Sequence, residues 1–192
     1  CRPVGAPDRI CNGAVDNASG IAVLLATARA LGAGPPLDRD VMIVATTAEE
    51  DGLLGAYHFA AHAPLILNSI VAAFNVDTVA IARRGASVAI VGRGTTPALD
   101  AVVDATAQRL GRQVDTSTTA NAFIRRQDGW ALVQAGVPAV MAGGSFADEA
   151  LLEHFLEGAY HGPDDEMSDA MDLGGAADDA DLHIALARRL GS

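Results

Sequence analysis

Apolar residues recur along this chain in two alternating patterns: short continuous runs of strand length, and longer stretches at helical spacing, separated by clusters of Gly, Pro and Asp. The most apolar run, residues 41–45 (Val-Met-Ile-Val-Ala), leads into Glu49, Glu50 and Asp51, and predicts a strand buried on both faces of a parallel sheet. Residues 70–77 predict a second buried strand that closes on Asp77, residues 137–141 a third, and residues 87–91 a short one. Helices are predicted over 21–31, closed by Gly32 and Gly34, over 53–62, ended by Pro64, over 97–110, over 130–134, ended by Gly136, and over 173–190. Residues 143–158 form a long connection with an amphipathic piece around Leu151, Leu152 and Phe155, of the kind that lids a site. Strands alternating with helices predict an α/β three-layer sandwich with a mostly parallel central sheet, in a single domain over residues 1–192.

Composition narrows the partners. With 192 residues, 50% hydrophobic and 19% charged, the chain can bury a sizeable core. Its net charge of -11 argues against nucleic acid or an anionic membrane surface, both of which require basic patches. All thirteen basic residues are Arg. Each apolar stretch is interrupted before about eighteen residues, so no membrane span is expected. Two cysteines, Cys1 and Cys11, provide no thiolate zinc site but would permit one bridge.

The candidate chemistry lies at strand ends. In parallel sheets ligands bind beyond the carboxyl ends of the strands, where Glu49 and Glu50 would stand. Adjacent acids with no Lys or Arg nearby in sequence call for a bound cation; the competing reading is an acidic first turn of the next helix, favoured by its dipole. Asp77 repeats the pattern of apolar strand followed by carboxylate. Asp16, Asn17 and Ser19, just before the first helix, fit capping residues, or Asp16 turns into the same rim. His161 sits in a Gly/Pro loop beside acids, equally suited to a ligand role or none, whereas His58, His62, His154 and His183 fall on helical or lid segments as solvated or partly packed residues. Asp16, Glu50, Asp77 and His161 together suit Zn, Mn or Co in a hydrolytic site. Glu49, beside a ligand, is free to take a proton from water.

The stretches Asn12-Gly13-Ala14-Val15-Asp16-Asn17-Ala18-Ser19-Gly20, Thr47-Ala48-Glu49-Glu50-Asp51-Gly52-Leu53-Leu54-Gly55, Phe74-Asn75-Val76-Asp77-Thr78, Ala135-Gly136-Val137-Pro138-Ala139 and Tyr160-His161-Gly162-Pro163-Asp164-Asp165-Glu166 occur in an order that resembles the co-catalytic di-zinc exopeptidases, the family of bacterial leucyl aminopeptidases, glutamate carboxypeptidase and glutaminyl cyclase. The resemblance implies that fold, two zinc ions, and a peptide or amino-acid-derived substrate. It makes Asp16 the carboxylate shared by both metals, Glu50 a ligand of one, Asp77 and His161 ligands of the other, and Glu49 the general base. It places Asp165 and Asp128 behind the ligands as orienting residues, and it implies a cis peptide at Asp16–Asn17. The expected activity is that of an aminopeptidase; a carboxypeptidase or cyclase on the same scaffold, or a non-catalytic binding domain, are the alternatives. The family's upstream His-x-Asp motif does not occur here, so one more His ligand and the first strands are expected before residue 1, and these 192 residues alone are expected to be weakly active or inactive. The family's Arg-Ser-Asp-His reads Arg126-Gln127-Asp128-Gly129, and Arg125 and Arg126 are read as solvated. A secreted or periplasmic location is implied by the resemblance only.

Overall fold

The computed structural model describes residues 10–192. The Cys1–Cys11 bridge involves a residue outside that range. Three short strands, β1 (Ala73–Asn75), β2 (Ala89–Val91) and β3 (Ala139–Gly143), form one sheet in the order β1-β3-β2. β1 runs parallel to β3, with Phe74 opposite Val140, and β2 runs antiparallel to β3, with Ile90 opposite Ala142. The sheet is thus mixed. Six helices are used below, α1 (Ser19–Gly32), α2 (Leu54–His62), α3 (Pro97–Arg109), α4 (Gly129–Gln134), α5 (Glu149–Glu157) and α6 (Gly174–Gly191), and a distorted turn at Ala14–Ala18 precedes α1.

Alternation along the strands explains the layers. Ile90 on β2 and Val140 and Ala142 on β3 point to one face, where they meet Leu99 and Val103 of α3 and Leu182 and Leu186 of α6. Ala89, Val91 and Met141 point to the other and pack with Phe123, Ile124 and Phe146. α1 lies against α6, and its Val23 meets Val76 and Val79 beyond the end of β1. The helices over 97–110, 130–134 and 173–190 form where the pattern puts them, each within one or two residues. Arg112 and Asp179 supply a buried ion pair at 2.7 Å, and the same carboxylate accepts from the Gly144 N–H at 3.0 Å, fixing α6 to the end of β3.

The expected central strand is the main correction. Residues 41–46 form no strand ladder, and Val41, Met42, Ile43 and Val44 are 43%, 47%, 40% and 37% exposed. The reason is the absence of a hydrogen-bonding neighbour: among the described residues no strand pairs with this segment, and a cavity of about 1020 Å³ lies between it and residues 69–77. Ile21 and Leu24 of α1, Leu132 of α4 and Ala187 and Leu190 of α6 also line this slot. The expectation about membrane spans also needs qualification. By length and composition Ala14–Gly32 reaches spanning length, although its first turn holds Asp16 and α1 packs within the domain.

Candidate metal centre

The loop that carries Asp16 is fixed from two sides. Gly13, at φ 61°, opens the turn, a left-handed conformation that glycine adopts without a Cβ penalty. Buried Asp165 then accepts hydrogen bonds from the N–H groups of Val15, at 2.7 Å, and Asp16, at 3.0 Å. Asn17 ties the same loop to the end of β1: its Nδ2 donates to the Val76 carbonyl at 3.1 Å, and its Oδ1 accepts from the N–H groups of Gly20 and Thr78. Asn17 therefore caps α1 and also holds the Asp16 loop against Asp77, a double role that the sequence pattern reduced to capping. A Cβ at Gly20 would strike both Asn17 and the Val76 carbonyl, so this close approach requires glycine. The Asp16–Asn17 peptide is cis, as the resemblance implies.

Glu49 and Glu50 sit on a tight turn in which the N–H groups of Gly52 and Leu53 donate to the Glu49 carbonyl at 3.0 and 2.8 Å. This turn, rather than a helical first turn, presents both acids, since α2 starts only at Leu54. Asp77 follows β1, and its Oδ1 accepts from the Thr78 hydroxyl at 2.9 Å. Among the described residues four non-glycine residues have positive φ: Ala48, Leu53, Thr78 and His161. All four lie on or beside the segments that carry the candidate site, where unfavourable backbone geometry commonly concentrates.

These segments converge. His161 Nε2 lies 2.6 Å from Glu50 Oε1 and 3.2 Å from Asp16 Oδ2, and the three ligand atoms fall within 4.8 Å of one another. Asp77 stands outside this trio but lines the same hollow as Asp16, Glu49 and Glu50. Tyr160 stacks on the His161 ring, centroids 3.7 Å apart, and lines that hollow too. Asp128 lies just before α4, where the Thr46 hydroxyl donates to its Oδ2, tying the exposed segment to that helix. Arg126, expected to be solvated, is exposed but reaches the hollow, with its Cζ 5.5 Å from the Phe123 ring centroid. Of the remaining histidines, His58, His62 and His154 are exposed on helices as expected, whereas His183, expected to be solvated or partly packed, is buried because α6 turns it against the sheet.

The electrostatics describe a hollow in which, among the described residues, four carboxylates, Asp16, Glu49, Glu50 and Asp77, meet a single guanidinium, that of Arg126. Burial, then the charges of Asp77 and Glu50, push the Asp16 carboxyl up to about 6. Burial, then Asp77, Glu50, Asp128 and Asp16, push Glu49 up to about 7. Burial raises Asp77 as well, against the opposing hydrogen bond from Thr78, and raises Asp128 against that from Thr46. Tyr160 is raised by burial and by Glu50 and Asp16, with Arg126 opposing. Carboxylates that destabilise one another in this way, with an imidazole nitrogen among them, form a donor set that a divalent cation would stabilise.

The geometry can be set beside known proteins. The family model for "Peptidase family M28" matches residues 3–186. No curated protein matches the chain. Among solved structures, an aminopeptidase from Aneurinibacillus sp. strain AM-1 is 22% identical, with a TM-score of 0.69, over 91% of this chain and 39% of its own. The zinc aminopeptidase BSAP from Bacillus subtilis is 23% identical, with a TM-score of 0.72, over 93% of this chain and 42% of its own. The LapA aminopeptidase from Legionella pneumophila is 20% identical, with a TM-score of 0.68, over 94% of this chain and 48% of its own. At such identities the structures establish a common fold, and the chain spans less than half the length of each of these three. The match to nearly all of its residues makes this chain a member of peptidase family M28.

Proposed function

We propose that this chain carries the core of a zinc-dependent aminopeptidase site that takes two metal ions. The observation that carries the reading is the convergence of Asp16, Glu50 and His161 within 4.8 Å, with Glu49 and Asp77 on the same hollow. Glu50 and His161, which lie with Asp16 within 4.8 Å, would hold one ion, Asp77, outside that trio, would hold the other, and Asp16 would be shared by both, so the distances favour Glu50 over Asp77 as the partner of His161. Zinc at such a site supplies Lewis acidity to a scissile carbonyl and to water. Glu49 takes the water's proton and passes it to the leaving amine. Asp165 and Asn17 hold the loop of Asp16 in place, so the bridging carboxylate keeps its aim without moving during the reaction.

The slot beside residues 41–46 supports one further ligand. One strand residue occupies roughly 160 Å³, taking a rise of about 3.3 Å, a strand spacing of about 4.8 Å and layers about 10 Å apart. A cavity of about 1020 Å³ therefore has room for about six residues of one strand. Residues 41–46 on one side lead to Glu50, and β1 on the other leads to Asp77, so a strand laid between them in the same direction ends at the metal site. A His at that end would give the ion at Asp77 its missing ligand, because the two carboxylates of Asp16 and Asp77 alone are not a normal catalytic zinc set.

Two experiments test the reading. Glu49→Gln in the full-length protein should retain bound zinc and lose at least roughly two orders of magnitude in turnover, the scale of a lost general base; loss of zinc with activity restored by added metal would exchange the roles of Glu49 and Glu50. Calorimetric titration of the 192 residues with zinc should show one strong site and one weak one, and a longer form that fills the slot should show two strong ones. Two strong sites in the short form would refute the need for an added ligand.

A further inference from the structure

The hollow at the metal centre has a second wall that the proposed chemistry does not use. Phe123, Met141, Phe146, Leu152, Leu156 and Tyr160 face Asp16, Glu49, Glu50 and Asp77 across it. Phe123 and Phe146 meet edge to face with centroids 5.3 Å apart, which gives this wall a fixed apolar surface. It comes from five places in the chain: the turn at Thr119–Phe123, β3, the turn at Ser145–Ala147, α5, the segment that the sequence marks as a lid, and the turn after α5 that carries Tyr160.

Arg126 is the only basic side chain among the described residues that line this hollow. Its guanidinium lies over the Phe123 ring, 5.5 Å from the centroid, and it shares the lining of the hollow with Tyr160. A cation over an aromatic face keeps its charge while giving up part of its hydration, so it acts more strongly on a neighbouring group than a free surface Arg does.

We infer that Arg126 sets the charge preference of the subsite for the substrate's N-terminal side chain: uncharged apolar side chains enter the hollow, and basic ones are rejected at its mouth. The inference rests on the aminopeptidase reading, in which the scissile bond lies at the metals and the adjoining side chain must go into the space beside them. An aliphatic side chain gains contact with the apolar wall and leaves the guanidinium undisturbed. A Lys or Arg side chain must bring a second positive charge beside the first while shedding water against that wall. The specificity then comes from an unfavourable pairing as well as from a favourable fit.

The test compares kcat/KM of the zinc-loaded full-length protein for leucyl- and lysyl-p-nitroanilide, in the wild type and in Arg126→Ala, Arg126→Glu and Arg126→Lys. The wild type should favour the leucyl substrate. Arg126→Glu should raise the lysyl-to-leucyl ratio at least about tenfold, Arg126→Ala should raise it less, and Arg126→Lys should keep the wild-type ratio, as expected for a like-charge effect in a partly water-excluded site. Calorimetric binding of leucine and lysine hydroxamates gives the same ratio without turnover and should move in parallel. Equal ratios in the wild type, Arg126→Ala and Arg126→Glu would overturn the inference and return Arg126 to the solvated surface. Failure of the zinc-loaded wild type to cleave either substrate would instead count against the aminopeptidase reading, and the hydroxamate ratios would still decide the role of Arg126. Should Arg126→Glu fail to fold, the wild-type preference together with Arg126→Ala decides it.

Discussion

Residues 41–44 and 139–142 are both short apolar runs that lead into the region of the site, yet one is exposed and the other is buried along its whole length. The difference lies in their neighbours. β3 has β1 on one side and β2 on the other, so its N–H and C=O groups are paired and its side chains are covered on both faces. The earlier run has the slot on one side and no ladder partner among the described residues. Apolar composition supplies the tendency to be buried, but a strand becomes part of a core only when another strand satisfies its backbone. The site straddles the two regions: Asp77 and His161 come from outside the uncovered run, and Glu49 and Glu50 from its end.

The comparison breaks most sharply where the closed region relies on charge. Asp179 is fully buried and accepts from Arg112 and Gly144, so Asp179→Ala leaves a buried guanidinium and a buried N–H without their partner. Loss of one member of such a pair costs about 3–5 kcal/mol, an appreciable part of the stability of an ordinary domain. Chemical denaturation of the 192-residue chain should show a shift of that size. A change below about 1 kcal/mol would mean that α6 is not anchored to β3 through this pair.

A matched pair of substitutions measures the contrast itself. Ile90 is 1% exposed within the sheet, and Ile43 is 40% exposed beside the slot. Ile90→Ala should cost about 2–5 kcal/mol, as for other buried Ile truncations. Ile43→Ala should cost less than about 0.5 kcal/mol, because little contact is lost. In a longer form that fills the slot the Ile43 value should rise toward the Ile90 value. Equal costs in the 192-residue chain would show that residues 41–46 are already packed in solution.

Much of this was legible in the sequence, because local signals and global contacts agree in most of the chain. Gly32, Pro64 and Gly136 mark real helix ends, and apolar spacing finds α1, α3 and α6. The stretches around Asp16, Glu50 and His161 could be grouped before any coordinates because each is a short motif with its own turn chemistry. The sequence pattern did not reveal the uncovered state of residues 41–46, since hydrophobicity records what a run prefers and not whether its partner is present. It also missed the second role of Asn17, which depends on contact with Val76 and Thr78, 59 and 61 positions away. Arg126 was hidden for a similar reason: its placement beside Phe123 and Tyr160 is set by tertiary folding, and an Arg next to another Arg in a polar loop gives no sign of it.

The smallest expected effect concerns His183, which stands on the boundary between the two regions. It projects from α6, lines the slot, lies edge to face with Phe74 at 6.0 Å, and bonds to the Ala142 carbonyl at 3.1 Å. Burial, helped by the nearby charge of Arg112 and opposed by the bond to Ala142, lowers its pKa from 6.5 to about 4. The folded chain therefore holds His183 neutral at a pH where the unfolded chain binds a proton, and the unfolded state gains on acidification. Its contribution is fully present above about pH 6.5 and is lost as the pH falls toward 4. Between pH 7.5 and pH 5 the loss amounts to about 2 kcal/mol. Asp16 and Glu49 act in the opposite direction in metal-free protein, because their raised values make the folded state the stronger proton binder as the pH falls. Wild type must therefore be compared with His183→Gln, which keeps an N–H donor for Ala142 and removes the titration while leaving the carboxylates in place. The stability of the wild type relative to the variant should fall by about 2 kcal/mol over that interval. Parallel pH curves would show that water reaches His183 through the slot and that this side of the closed region is as open as residues 41–46.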